Sequence, residues 1–297
     1  MPVMRLTTLF IVWAVVVNCG GSRQRGSDSR PAPAPDRPAI LLTAAGTRPA
    51  EALARFVGAD SVTSPRVLVL SAGSDTTSGP QAAVDLRAAG AIATSIRLTR
   101  AMAESGQISA LLNGTSAVWL TGLRADELGA ALGGTATAVA LERRGRSGMP
   151  VGGDGAGAGM LASVLIAGGD LPPVRRRGAR QPVEEGIATA EGLGLVPGTL
   201  IYAPASSRRK ADALDSALAH HPRLVGIQLD SGAALIVTAQ GIWESVGQAD
   251  VLVRVTDETL GPDSTGAVPR RTRIVSPGSR FDPRTRSLLP LVPATQR

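Results

Sequence analysis

The sequence predicts an α/β fold, with a doubly wound, mostly parallel sheet that has an antiparallel edge near the C-terminus. Three observations lead there. From Ala39 onward, short and continuously apolar segments alternate with Ala-rich helical stretches. One of those segments runs through a glycine-rich turn into another apolar stretch, and the last apolar segments are crowded together. Unbroken apolar strands separated by helices imply a parallel sheet covered on both faces.

In chain order, Ala39 to Thr43, Arg66 to Ser71, Ala91 to Leu98 and Ala117 to Thr121 read as strands. Ala50 to Val57, Pro80 to Ala89, Arg100 to Leu112 and Ala125 to Leu132 read as the helices between them. Met160 to Ile166 carries a helical pattern, and a further helix is expected near Ser207 to His220. Leu224 to Leu229, Ala233 to Thr238 and Val251 to Val255 then read as closely spaced strands that pair antiparallel at one edge. No internal repeat is visible. The chain has 297 residues, 43% of them hydrophobic, enough for one sizeable core. Residues 39–297 are assigned to that domain, with a Pro- and Arg-rich tail. Aromatic residues make up only 2%, so Ala, Val, Leu and Gly must fill the interior.

Residues 1–19 read as an export signal. Arg5 supplies the positive end, Leu6 to Val17 is a nearly unbroken apolar run, and Cys19, the sole cysteine, follows. Such a run is too short to span a bilayer as a helix but suits the core of a signal peptide. Val16-Val17-Asn18-Cys19 resembles a bacterial lipobox, with Asn18 in place of the usual small residue, and makes Cys19 the candidate lipidation site. An ordinary signal peptide with an incidental cysteine, or an uncleaved anchor, is the alternative. Residues 20–38, rich in Gly, Ser, Arg and Pro, cannot bury a core and read as a tether. The protein is therefore expected outside the cytoplasm, held to a membrane by a lipid anchor at the periplasmic or cell surface, or else secreted.

The formal charge of +7 comes almost wholly from arginine, since Lys210 is the only lysine. Arg143, Arg144 and Arg146, Arg175 to Arg177, Arg208 to Lys210, and Arg270, Arg271 and Arg273 form basic clusters. They read either as an anion-binding surface or as solvated side chains in a biased composition. No nucleic-acid module accompanies them: zinc spacing, aromatic stacking motifs and an uninterrupted basic arm are all missing. A single cysteine excludes an intrachain disulfide framework and a multi-cysteine metal site. No cofactor or metal is implied.

The most informative stretch is Met149-Pro-Val-Gly-Gly-Asp-Gly-Ala-Gly-Ala-Gly-Met160. A strand enters a turn of small residues and leaves toward a helix, the layout of a nucleophile elbow with Gly153 and Gly157 flanking Gly155. By itself such a turn could also cradle a phosphate, though no Walker Lys-Ser/Thr follows.

The neighbouring motifs make the reading specific. Gly152 to Ala158 resembles the Gly-Gly-Thr-Ser-Ala-Gly-Ala elbow of cyanophycinases and their dipeptidase relatives, with Asp154 for Thr and Gly155 for Ser. Val118 to Ala125 resembles the stretch with their Gly-Gly-Asp-Gln loop and keeps Gly122, but has Leu123, Arg124 and Ala125 at the other places. Gly192 to Gly198 resembles the lead-in to their Asp-Gln-His-Phe motif, whose histidine position falls on Pro204. His221 to Ser231 resembles the segment ending in Ile-Asp-Glu, with Asp230 kept and Ser231 for the acid. Val275 to Asp282 resembles the closing motif. The resemblance runs in order from Ala39 to Arg286 and implies a class I glutamine amidotransferase-like fold. It also implies amide hydrolysis by a Ser-His-acid triad, on substrates such as aspartyl peptides or an aspartate-arginine polymer.

Gly155, Pro204 and Ser231 stand at the three triad positions and supply neither nucleophile, base nor acid there. A serine hydrolase needs a nucleophilic oxygen, a base and oxyanion donors. The backbone N–H groups of Ala156 and Leu123 are the expected surviving donors, and Asp154 reads as a helix cap or surface charge. His220 and His221 read as helix-end residues. Two functions stay open. One is a noncatalytic binding or scaffold protein whose pocket, formed by Gly122, Leu123, Gly153, Asp154, Gly155, Ala156 and Asp230, takes a peptide or small molecule. The other is a peptidase with a rearranged site, for instance Asp230 with a bound water or ion.

Overall fold

Two sheets, one of nine strands and one of six, carry the chain. The computed structural model describes residues 39–58, 64–168, 187–203, 210–256 and 269–290. The first half alternates strand and helix: β1 (Ile40–Thr43), α1 (Ala50–Val57), β2 (Arg66–Ala72), α2 (Ser78–Ala88) and β3 (Ile92–Leu98). Next come α3 (Arg100–Glu104), α4 (Gln107–Leu112), β4 (Ala117–Leu120), α5 (Ala125–Leu132), α6 (Ala136–Arg146), β5 (Val151–Asp154) and α7 (Ala156–Met160). The second half is mostly strand: β6 (Ala162–Gly168), β7 (Ala188–Glu191), β8 (Val196–Tyr202), α8 (Lys210–His220), β9 (Val225–Leu229) and β10 (Ala233–Val237). It ends with β11 (Trp243–Gly247), β12 (Val251–Thr256), β13 (Arg270–Val275), β14 (Arg280–Asp282) and β15 (Ser287–Leu289).

The larger sheet has the order β15-β14-β11-β10-β1-β5-β4-β2-β3. From β1 to β3 every pairing is parallel, and from β10 outward every pairing is antiparallel. The α/β class and the antiparallel C-terminal edge are thus as the sequence predicts. β5 lies inside the parallel half between β1 and β4, buried along its whole length. Leu41, Val69, Trp119 and Phe56 pack on the α1/α2 face, whereas Leu42, Leu70, Leu120 and Met160 pack on the α7 face.

Helix α1 shows why these elements form. Ala52, Leu53, Phe56 and Val57 make one buried stripe, and Gly58, in the left-handed region, ends the helix by donating to the Ala54 carbonyl. The single helix expected over Arg100 to Leu112 is split at Gly106, whose φ of 74° is left-handed. Thr99 caps the first piece by accepting from the Met102 N–H.

Two expectations are corrected. Met160 to Ile166 is not helical: α7 stops at Met160 and β6 begins at Ala162. A short apolar run fits either state, and pairing with β8 and β7 decides for strand. That turn sends the chain into the second sheet, ordered β13-β12-β9-β8-β6-β7, which the sequence does not announce. The three late strands do not form one edge either. β9 pairs antiparallel with β12 in the second sheet, whereas β10 pairs antiparallel with β1 in the first. The turn at Asp230 to Gly232, closed by the Ala233 N–H on the Asp230 carbonyl, switches the chain between sheets.

Arginine serves this architecture at helix ends. Arg144 donates to the Leu112 carbonyl at the end of α4, Arg100 to Ala130 in the last turn of α5 and to Gly133 just after it, and Arg270 to Leu218 in the last turn of α8. A guanidinium there satisfies carbonyls that a helix end leaves open. Arg144 and Arg270 are therefore structural caps within the clusters. Arg175 to Arg177, Arg208 and Arg209 lie outside the described residues.

Candidate functional site: a closed elbow

Parallel pairing sets Thr43 of β1 beside Asp154 of β5, so the chain after both strands emerges at the carboxyl edge of the sheet. Gly155 makes the turn there with φ 55° and ψ −120°. A side-chain-bearing residue in such a region stores about 1–3 kcal/mol of strain, and glycine does not. Helix α7 then doubles back across the strand ends so closely that a Cβ on Gly157 would lie 2.0 Å from the Leu120 carbonyl oxygen. A Cβ on Gly153 would lie 2.7 Å from the Gly157 backbone. Gly153 and Gly157 are therefore required by contact.

The space a nucleophile would occupy is filled. A Cβ on Gly155 would stand 2.8 Å from the Gly122 carbonyl oxygen and 2.9 Å from the Ala45 methyl. The same Gly122 carbonyl accepts the Ala156 N–H at 3.0 Å. The expectation that the Ala156 N–H remains as a free oxyanion donor is thus corrected: a carbonyl of this chain already occupies it. Leu123, beside Gly122, is 58% exposed and adds no wall to an enclosed pocket.

Asp154 is corrected too. It is 1% exposed, neither a helix cap nor a surface charge. Its Oδ2 accepts from Arg48 Nη1 at 2.9 Å and Trp119 Nε1 at 2.8 Å, and its Oδ1 accepts from Thr121 Oγ1 at 2.8 Å. Arg48, itself buried, also donates from Nε to Asp85 of α2 at 2.7 Å. Burial pushes the Asp154 carboxyl above its ordinary value, against the opposing pull of the Arg48 charge and the three donors. The group points to the α1/α2 face, away from the α7 face, and its donors hold it as a structural anchor.

Other predicted positions are dispersed. The half-buried Asp230 takes the Gln228 amide at 3.3 Å, and Ser231 is exposed on the sheet-switching turn. That turn is tied to the loop that carries Ala45, since the Gly232 N–H donates to Thr47 Oγ1. His220 Nδ1 lies 3.1 Å from the Ser216 carbonyl, and His221 Nε2 3.1 Å from the Thr189 hydroxyl. Both end α8, as expected. Pro204 and Cys19 lie outside the described residues. Sequence reasoning missed Arg48, Ala45 and Asp85; a lone Arg in the Gly46-Thr-Arg-Pro49 loop carries no local signal of burial.

A strand ending in a tight small-residue turn, with a helix folded back over it, can now be set against known proteins. The chain is 29% identical over 202 residues to cyanophycinase of Nostoc sp. (strain PCC 7120) and likewise to that of Trichormus variabilis. The chain is a homologue of the cyanophycinases. The match covers 65% of this chain and 65% of the length of each of these two relatives. A peptidase from an acI-B1 Actinobacterium superposes with a TM-score of 0.55 at 18% identity, covering 82% of this chain and 96% of that one. A putative peptidase E protein from Listeria monocytogenes gives 0.50 at 13% identity, with 70% and 97% covered. These two show the shared fold. No protein-family model matches the chain. In this cyanophycinase homologue, the elbow position is a glycine whose side-chain space is taken by Gly122 and Ala45.

Proposed function

We propose that this cyanophycinase homologue is an exported, lipid-anchored protein that binds or scaffolds without hydrolysing. The observation that carries the reading is the Gly155 turn: no nucleophile, no room for one, and the Ala156 N–H already bonded to Gly122. Gly155, Pro204 and Ser231 stand where the resemblance puts serine, histidine and acid. Without a nucleophile no acyl-enzyme forms. Losing a triad member leaves only about 10³–10⁴-fold acceleration over water even with the oxyanion hole intact.

The test is an assay of the purified protein on aspartyl peptides and on the aspartate-arginine polymer, with a serine-directed phosphonate as probe. Neither turnover nor labelling is expected. Turnover that disappears in Asp230→Ala would establish the alternative, a peptidase with a rearranged site. The anchor is tested separately: fatty-acid labelling should tag the protein and be lost in Cys19→Ala. Stable attachment needs more than one acyl chain, as on a lipoprotein cysteine.

A further inference from the structure

The carboxyl edge of the parallel strands carries a row of polar side chains on the α1/α2 face. Arg97 of β3 pairs in register with Ser71 of β2, Thr121 follows β4 at the next place, and Asp154 of β5 pairs with Thr43 of β1. At the β5 end, Arg48 and Trp119 fill the space over the row. At the β2–β3 end no large side chain does, and the first turn of α2 meets the row with Gly79. There a cavity of about 320 Å³ is lined by Ser71, Asp75, Thr76, Pro80, Ser95 and Arg97.

Its polar groups are placed and unspent. Ser71 is 2% exposed, and the Ser71 and Ser95 hydroxyls both lie 2.7 Å from where a Cβ on Gly79 would stand. Glycine at 79 thus lets both hydroxyls sit against the first turn of α2. Among the described residues neither hydroxyl has a hydrogen-bond partner, and Arg97 makes no ion pair. Asp75 is 8% exposed. Its Oδ1 accepts the Thr77 and Ser78 N–H groups at 3.0 Å, and its buried Oδ2 has no partner among the described residues. An acidic side chain at the floor disfavours a simple anion, although a helix amino terminus alone would attract one. An exposed arginine at the rim disfavours a simple cation.

We infer that this cavity binds a small zwitterion of the α-amino acid class, its ammonium held by Asp75 and the two serines and its carboxylate by Arg97. At about 30 Å³ for each water-sized group, the volume admits roughly ten non-hydrogen atoms. The site lies on the opposite face of the sheet from α7 and stands whether or not the noncatalytic reading of the elbow survives.

The experiment is calorimetric titration of the full chain with a panel of free L-amino acids, their N-acetyl derivatives and their amides. At least one free amino acid should bind, and removing either charge from it should weaken binding about tenfold or more, the scale of a charge-assisted hydrogen bond. Asp75→Asn keeps the helix-capping oxygen but not the charge, and Arg97→Gln alters only an exposed side chain; each should weaken binding by a similar factor. Failure of every free amino acid to bind overturns the proposal. Equal binding by N-acetyl or amide forms, or unchanged binding by the folded Arg97→Gln variant, overturns it as well.

Discussion

The two ends of one polar row, at β5 and at β2–β3, have followed opposite courses. Over β5 the carboxylate of Asp154 is met by Arg48, Trp119 and Thr121, and the turn beyond it is sealed by Ala45 and Gly122. Over β2 and β3 the hydroxyls of Ser71 and Ser95 sit against Gly79 in the first turn of α2, and a cavity remains beside them. Both ends lie at the carboxyl edge, where open α/β sheets place their ligands. What differs is the loop leaving each strand. The loop after β1 lays Arg48 across the sheet, whereas the loop after β2 turns directly into α2 through Asp75. Strand edge gives the opportunity for a site, and the following loop decides whether it is filled.

The comparison breaks most readily at Arg48. Arg48→Met should leave Asp154 and Asp85 without their shared cation, and removing one partner of a buried pair costs about 3–5 kcal/mol. Urea unfolding should show that loss. A cost below about 1 kcal/mol would mean that the β5 end is not held by charge. Gly155→Ser comes next. It should destabilise by about 1–3 kcal/mol from the turn conformation alone, with overlap on Gly122 and Ala45 in addition. It should restore no hydrolysis, and the triple change with Pro204→His and Ser231→Glu is the fair rescue test.

Acidity separates the two ends by sign. Asp154 is raised above 3.8 by burial, so its folded form holds the proton more tightly than the unfolded chain. Its contribution is full below 3.8 and is lost as pH rises through the raised value. Asp75 is also penalised by burial, but hydrogen bonds from Ser78 and Thr77 win and lower it below 3.8. Its contribution is full above that value and is lost as pH falls through the depressed one. Asp154→Asn should therefore remove a decline on the alkaline side, and Asp75→Asn a decline on the acid side, each at most about 1.4 kcal/mol per pH unit. Urea midpoints across acidic pH check both. The smallest effect is expected at Leu123→Ser, where an exposed side chain outside the core should change stability by less than about 0.5 kcal/mol.

Local pattern determined much of this protein. The apolar segments before Ala125 became β1 to β4, α1 appeared at the residues expected, and the small-residue spacing of Gly153, Gly155 and Gly157 placed the elbow at the end of an inner parallel strand. Those features are legible because period, turn chemistry and close backbone contact are written in neighbouring residues. The second sheet was not legible, because Ala162 to Gly168 fits helix or strand until β8 and β7 offer it partners. The closed elbow was not legible either. Gly122 and Ala45 reach Gly155 from other strands' loops, and Arg48 reaches Asp154 across 106 positions. Whether a carboxylate caps a helix, faces water or anchors a buried cation is settled by what lies across from it, and only the tertiary fold brings those groups together.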